Sequence, residues 1–151
     1  MTAQLTVSSD AFEEGGAIPA RHACDGEDVS PPLRWSRGPE ETGAYALIVD
    51  DPDARGFVHW VVADIPASRT ELDEAASGGE IEGIEGRNDF GGTGWSGPCP
   101  PSGTHRYTFS VYALREPLQL AGDIDAGTLR AAMEGRVVAE GSVTATYRRG
   151  G

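Results

Sequence analysis

The sequence predicts a mainly β-strand fold with one short C-terminal helix. Three observations favour it: short apolar runs separated by turn residues, alternating polarity along those runs, and 21 Gly and 10 Pro that are spread along the chain. A chain of 151 residues is long enough to form one hydrophobic core. We therefore expect residues 1–151 to form a single domain.

Four segments are expected to be strands. Ala44–Val49 is an uninterrupted apolar run, which is typical of a buried strand, and Phe57–Ala63 is a second one. His105–Leu114 alternates most regularly between apolar and polar residues, and Val143–Tyr147 alternates near the C terminus. The residues that we expect to be buried are Leu47, Val49, Val61, Phe109 and Val111.

Period-two alternation predicts which side chains share a face of a strand. In the second strand, Phe57, His59 and Val61 are expected on one face. In the third, His105 and Tyr107 share the apolar face. Both histidines are therefore expected to point towards apolar neighbours.

One helix is expected, from Ala126 to Glu134. Asp125 is placed to cap its first turn, and Gly135 is placed to end it. Ser77–Gly94 is rich in glycine and predicts a long irregular loop. Loops of that length in compact domains are often functional.

The chain is strongly acidic. It has 24 acidic and 12 basic residues, a net charge of −12, and every basic residue is arginine. An acidic surface repels nucleic acid and anionic membranes, so neither is expected as a partner. No stretch approaches the roughly 18 apolar residues of a membrane span, so no stable membrane insertion is expected. The N terminus lacks a signal-peptide pattern, which predicts a cytoplasmic protein.

The acidic, lysine-free composition also predicts adaptation to concentrated salt, where counter-ions screen the repulsion between carboxylates. A GC-rich genome, in which arginine codons replace lysine codons, is the alternative explanation. If the composition is an adaptation, the thermal unfolding midpoint rises as KCl is raised through the molar range. A flat or falling midpoint contradicts it.

Cys24 and Cys99 are the only cysteines. Their spacing fits neither a zinc ribbon nor a redox pair, so two buried free thiols are the simplest interpretation. A disulfide is the alternative, although it is less expected in a reducing cytosol. A zinc site formed by His22, Cys24, Cys99 and His105 is weaker still, because the HxC spacing of the first pair is uncommon.

Three segments carry side chains that can do chemistry. Asp50–Ala54 directly follows a predicted strand, and its proline stiffens the turn between the carboxylates of Asp51 and Asp53. His59 lies in an apolar strand. The third segment, residues 97–107, starts as a proline-rich loop and runs into the predicted strand that carries His105 and Tyr107. Taken singly, each has an ordinary structural explanation as a turn, a core histidine or a hairpin connection.

In this order and wording, the segments resemble the phosphatidylethanolamine-binding protein family. The likeness is strongest to its bacterial and archaeal branch, the Raf kinase inhibitor-like proteins. The matching stretches are DPDA, HW and GPCPPSGTHRYTFSVYAL, together with CDGEDVSPPLRW, NDFGGTGWSGP and the ending AEGSVTATYRR. They span nearly the whole chain, so the combined signal is specific although each motif is short.

The resemblance implies a Greek-key fold of antiparallel sheets with a small surface pocket. It implies a non-enzymatic binding or regulatory protein, without cofactor or metal, whose ligand is a small anion such as phosphate or a phospholipid head group. A homodimer is expected, and the sequence does not identify a protein partner. The implied pocket residues are Asp51, Asp53, His59, Pro100, Pro101, His105 and Tyr107.

The chemistry of these side chains suits an anion. Imidazoles donate hydrogen bonds to phosphate oxygens, and a neighbouring carboxylate is expected to raise a histidine pKa. We therefore expect Asp51, His59 and His105 to converge on one pocket, and anion affinity to fall as pH rises.

Three positions depart from the family pattern. Arg55 stands where proline is usual after DPDA, Trp95 replaces a common tyrosine, and Ala145 stands where glycine is common. Arg55 is expected at the pocket rim, where it either attracts anions or pairs with an acid, and Trp95 is expected to keep an aromatic wall. The departures are thus expected to change the rim and to leave the inner residues as they are.

The alternative function is an acid–base hydrolase that acts on a phosphoester or peptide with Asp51, His59 and His105. However, no Ser or Cys lies in a recognisable nucleophile motif. GxSxG is absent, and Trp95-Ser96-Gly97 resembles it only in part. A binding function is therefore favoured.

Overall fold

Strands predominate in the structure, a computed structural model that describes residues 3–79 and 81–149. Within these residues the chain forms nine strands and one α-helix, which confirms the predicted fold class. In chain order they are β1 (Ala3–Gln4), β2 (Val7–Ser8), β3 (Leu33–Trp35), β4 (Ala44–Asp51), β5 (Phe57–Pro66), β6 (Glu71–Leu72), β7 (Ile84–Glu85), β8 (Thr104–Leu114), α1 (Ala126–Met133) and β9 (Val137–Arg148).

The larger of two sheets contains a Greek key. Its strand order is β1-β9-β8-β4-β5-β7. β4, β5 and β7 are antiparallel neighbours, and β8 returns to lie beside β4, which gives the Greek-key spatial order. Antiparallel sheets were predicted, but β1 runs parallel to β9, so this sheet is mixed. The smaller sheet, β2-β3-β6, is antiparallel.

The two faces of the larger sheet pack against different elements. Leu47 and Phe109 on one face share a core with Leu33 and Leu72 of the smaller sheet. The other face is covered by α1, and Leu129 is fully buried there. All five residues that were predicted to be buried are buried.

The predicted helix is confirmed, with α1 ending at Met133, one residue before the predicted end. The Asp125 carboxylate accepts a hydrogen bond of 2.9 Å from the Thr128 amide and so caps the first turn. Gly135 follows with a φ of 78°, which glycine adopts without steric cost. Within the described residues, no helix has the length and apolar character needed to cross a bilayer.

A β-bulge at His59 corrects the predicted faces of β5. Val49 pairs with Trp60 and Asp50 pairs with Val58, so His59 is the extra residue. A bulge places two successive side chains on one side of a strand. Beyond it the alternation is inverted, and Val61 lies in the core under α1 instead of sharing a face with His59. The sequence pattern alone does not show where a strand gains a residue.

The cysteines correct a second prediction. Cys24 and Cys99 form a disulfide, with a Cα–Cα distance of 5.5 Å, and are not free thiols. Oxidised sulfurs are not the thiolates that bind zinc, so the alternative zinc site is wrong as well. In the described part of the chain, no three metal-ligating side chains lie together in a way that could hold an ion.

Candidate functional site

A cavity of about 200 Å³ opens at one edge of the larger sheet. Because β4 is antiparallel to β5 and β8, its end lies near the start of both neighbours: Asp51 pairs with Phe57, and Asp50 pairs with Thr108. Three separate segments of the sequence therefore meet at this edge. The residues that line the cavity are Asp51, Ala54, Phe57, His59, Phe90, Cys99, Pro100, Pro101, His105 and Tyr107.

Asp51 and His105, which both line the cavity, form a hydrogen-bonded pair. Asp51 is 3% exposed, and its Oδ2 lies 2.5 Å from Nδ1 of His105. Its Oδ1 accepts a 2.8 Å bond from the Asp53 amide, which fixes the carboxylate. A carboxylate only accepts, so Nδ1 of His105 is the donor. This leaves Nε2 of His105 as the ring nitrogen that is available to a ligand.

The turn after β4 is fastened to β8 from outside the cavity. The Asp53 carboxylate accepts bonds from the Arg106 guanidinium at 2.9 and 3.1 Å and from the Arg106 amide at 2.8 Å. These bonds lower the pKa of Asp53 to about 2. Asp53 does not line the cavity. Its contacts join the turn that contains Asp51 and Ala54 to the strand that carries His105.

His59 lies directly before Trp60 at the bulge and lines the cavity together with Phe57. Its Nδ1 lies 2.7 Å from the carbonyl oxygen of Ser96, which can only accept, so this nitrogen carries the proton. Nε2 is again left for a ligand. His59 is 3% exposed, and burial lowers its pKa although the Ser96 carbonyl and the Asp51 carboxylate act in the opposite direction. The Asp51 carboxylate acts in the expected direction, but burial outweighs it, so the expected net rise in the His59 pKa is wrong.

We predict that His59 titrates below the midpoint of an unperturbed histidine, about pH 6.5. The unfolded chain protonates His59 near that pH, so its contribution to the free energy of unfolding is complete above it. That contribution is lost as the pH falls towards the lowered folded-state pKa. An NMR titration of the imidazole carbons, with a His59→Phe variant to assign the signal, measures the midpoint. An ordinary midpoint would mean that the ring is more hydrated than its burial indicates, and a raised midpoint would mean that the Ser96 carbonyl and Asp51 outweigh burial; either contradicts the prediction.

Tyr107 lies between the two imidazoles. Its ring meets His59 edge to face with centroids 5.2 Å apart, and it stacks on His105 at 6.5 Å. The side chain is 1% exposed, and burial raises its pKa well above the ordinary value for tyrosine. Tyr107 is therefore a neutral aromatic spacer that fixes the orientation of both rings.

The proline-rich wall is held by contacts with the loop that carries Cys24. The Gly97 amide donates to Oδ1 of Asp28 at 2.7 Å, and the Cys24 amide donates to the Pro98 carbonyl at 3.1 Å. A Cβ atom at Gly97 would lie 2.1 Å from the His22 carbonyl oxygen, so this close approach requires glycine. The disulfide adds a covalent bond immediately before Pro100.

The sequence profile described as phosphatidylethanolamine-binding protein matches residues 8–148. The chain belongs to the phosphatidylethanolamine-binding protein family. A UPF0098 protein of Methanothermobacter thermautotrophicus is 43% identical over 151 residues, covering 97% of this chain and 100% of that protein.

Two solved structures show the same fold. CT736 from Chlamydia trachomatis, described as a homologue of phosphatidylethanolamine-binding proteins, has a TM-score of 0.90 at 34% identity over 98% of this chain and 99% of that one. E. coli YbcL, described as a member of the mammalian family, has a TM-score of 0.89 at 33% identity over 97% and 99%. Phosphatidylethanolamine-binding proteins are generally binding or regulatory proteins, which supports a binding function in general terms.

Six of the seven residues that the family resemblance implied line the cavity. They are Asp51, His59, Pro100, Pro101, His105 and Tyr107. Asp53 lies outside it and binds Arg106. Four lining residues were not predicted: Ala54, Phe57, Cys99 and Phe90. Alternation placed Phe57 on the His59 face, and the glycine-rich composition marked the loop of Phe90, but neither pattern singled out the residue itself.

Two of the three positions that depart from the family pattern lie away from the cavity rim, where changes were expected. Trp95 and Ala145 are buried in the core and do not line the cavity. Arg55 is exposed beside the lining residue Ala54, with a φ of 58°. Proline is fixed near a φ of about −65°, so a chain with proline at this position must form a different turn. Only Arg55 therefore changes the rim.

Proposed function

We propose that this protein is a non-enzymatic binding module whose cavity holds a phosphate-type anion, either free or as a phospholipid head group. The observation that carries the proposal is that each imidazole is hydrogen-bonded to its own acceptor, His59 to the Ser96 carbonyl and His105 to the Asp51 carboxylate. Nδ1 of His59 and Nδ1 of His105 are each held by a fixed acceptor, which leaves Nε2 of each imidazole for a ligand, and both imidazoles line the same cavity. When protonated, Nε2 donates to phosphate oxygens, and fixed donors lose little entropy on binding.

The charges of the cavity suit a ligand that carries both signs. The Asp51 carboxylate is negative, and a protonated imidazole is positive. A phosphoethanolamine head group has an ammonium for the first and a phosphate for the second. The net charge of −12 repels anions at long range, so the attraction must be local. We expect affinity to fall as pH rises, with His59 contributing its Nε2 donor only at the more acidic end because burial lowers its pKa.

The hydrolase alternative receives no support from the comparisons. Ser96, in the partial nucleophile motif, uses its carbonyl to hold His59 and its hydroxyl to accept a 3.1 Å bond from Asn88. Both contacts are structural.

The disulfide weighs against the predicted cytoplasmic location, because disulfides persist mainly in oxidising compartments.

We predict that His105→Ala weakens phosphoethanolamine binding by about 10- to 100-fold, because a hydrogen bond to a charged group contributes about 1.5–3 kcal/mol. Titration calorimetry at several pH values measures the affinity. Thr104→Ala is the matched control, since Thr104 is the exposed neighbour on the same strand and does not line the cavity. Equal affinity in the wild type and the His105 variant would contradict the proposal, as would an absence of saturable binding to the wild type.

A further inference from the structure

Phe90 stands at the mouth of the cavity and is 52% exposed, the one large hydrophobic side chain classed as exposed among the described residues. Its ring meets Phe57 at a centroid distance of 4.8 Å and His59 at 5.4 Å, both edge to face. A single exposed phenylalanine is unremarkable by itself. What distinguishes Phe90 is the set of bonds that holds it in this position.

Asn88 fixes the backbone that carries Phe90. Asn88 is 5% exposed, and its Oδ1 accepts from the Phe90 amide at 2.9 Å and from the Gly92 amide at 3.2 Å. Its Nδ2 donates to the Gly94 carbonyl at 2.9 Å and to the Ser96 hydroxyl at 3.1 Å. All four hydrogen-bonding positions of one buried amide are thus committed to this loop.

A second anchor ties the loop to β5. The Asp89 carboxylate accepts a 2.7 Å bond from the Val58 amide, and the Asp89 amide donates to the Val58 carbonyl at 2.9 Å. Phe90 therefore follows two residues that are bonded in place, next to the strand that carries His59. Its exposed ring is preorganised, so a ligand that covers it does not have to order the loop.

The cavity changes from polar to apolar between its floor and its mouth. Asp51, His59 and Tyr107 are at most 3% exposed and form the floor. Phe90 and Pro101 are exposed and form part of the mouth. A volume of about 200 Å³ is small beside the roughly 300–1,000 Å³ of pockets that hold drug-sized ligands. That space suits a phosphate with its immediate substituent, and the remainder of a larger ligand must pass over Phe90.

We infer that Phe90 is a specificity-determining residue that selects phosphate monoesters or diesters carrying an apolar substituent, with the phosphate at His59 and His105 and the substituent against Phe90 and Phe57. This inference rests on the proposed function, because it requires the phosphate to occupy the floor. The substituent is an aryl group of a small ester or the hydrocarbon of a lipid. Contact between the ligand's apolar substituent and the Phe90 ring accounts for an exposed phenylalanine whose position is fixed by hydrogen bonds on an otherwise acidic protein.

Calorimetry with three probes tests the inference: phosphoethanolamine, phenyl phosphate and dihexanoylphosphatidylethanolamine below its micelle concentration. Phe90→Ala is expected to weaken binding of the phenyl or dihexanoyl probe, or of both, by about 2- to 10-fold, the range that an aromatic contact gives. The same variant should leave phosphoethanolamine affinity within about twofold. Loss confined to phenyl phosphate identifies an aryl ester as the preferred class, and loss confined to the dihexanoyl probe identifies a lipid.

Two variants complete the design. Phe90→Leu, which keeps an apolar side chain, is expected to retain most of the dihexanoyl affinity. Tyr112→Ala removes a partly exposed aromatic ring whose side chain does not line this cavity and should change none of the three affinities. If Phe90→Ala weakens only phosphoethanolamine, the ring binds the ammonium instead, and the inference is overturned. It is also overturned if the variant leaves all three affinities unchanged. If no probe binds the wild type, the proposed function fails with it.

Discussion

Removing the Cys24–Cys99 disulfide is expected to lower the free energy of unfolding by about 2–5 kcal/mol. The bond joins residues 75 positions apart, and the chain-entropy model gives about 4.5 kcal/mol for a loop of that length. It links the loop of Cys24 to the proline-rich wall, two segments that lack regular secondary structure around the bond. A Cys24→Ser/Cys99→Ser double variant compared with the oxidised wild type by urea unfolding measures the difference.

Reduced wild-type protein is the control for this prediction. It keeps both cysteines and should unfold at the same denaturant concentration as the double variant. The hydrogen bonds of Gly97 and Pro98 remain after reduction, so the folded state is expected to persist with a weaker wall. Coincident midpoints for the oxidised wild type and the double variant would show that the two loops are held together without the covalent bond.

Asp51→Ala is expected to lower the free energy of unfolding by about 2–3 kcal/mol and to remove most phosphoethanolamine binding. The carboxylate is buried and accepts two bonds, from the Asp53 amide and from His105. Its removal leaves both donors without this acceptor and frees the His105 ring to rotate. The fixed Nε2 donor is then lost, although His105 itself is still present. Urea unfolding and calorimetry measure the two effects separately.

Two further variants separate position from charge. Asp53→Ala removes an exposed carboxylate only two residues away, and it is expected to affect both quantities much less, because water replaces the bonds to Arg106. Asp51→Asn keeps an oxygen that can accept from the Asp53 amide but removes the negative charge, and should lie between the wild type and Asp51→Ala. A larger effect from Asp53→Ala than from Asp51→Ala would show that the outer ion pair holds the site.

In this protein the sequence predicts regular strands correctly but does not predict where a strand departs from regular pairing. Alternation placed His105 and Tyr107 on one face because β8 is regular from Thr104 to Leu114. The same rule failed beyond His59, since a bulge depends on pairing with β4 and leaves no period of its own. Up to the bulge the rule holds, because Phe57 and His59 share a face and both line the cavity.

Contacts between distant segments explain the other differences. The disulfide was not favoured, because pairing depends on where two loops meet in space. Asp53 was assigned to the pocket through its motif, whereas Arg106 draws it outside. Phe90 gave no periodic signal, since its position is fixed by Asn88 and Asp89. By contrast, the family resemblance identified six lining residues, because the short sequence motifs that contain them occur in the family's order along the chain.

The binding of a phosphate at the two imidazoles is tested most directly by a crystal structure of the protein with phosphoethanolamine at mildly acidic pH. The account predicts electron density for the phosphate within hydrogen-bonding distance of Nε2 of both His59 and His105, with the bond from His105 to Asp51 intact. Density for the phosphate elsewhere on the surface, with the cavity holding only water at saturating ligand, would contradict it.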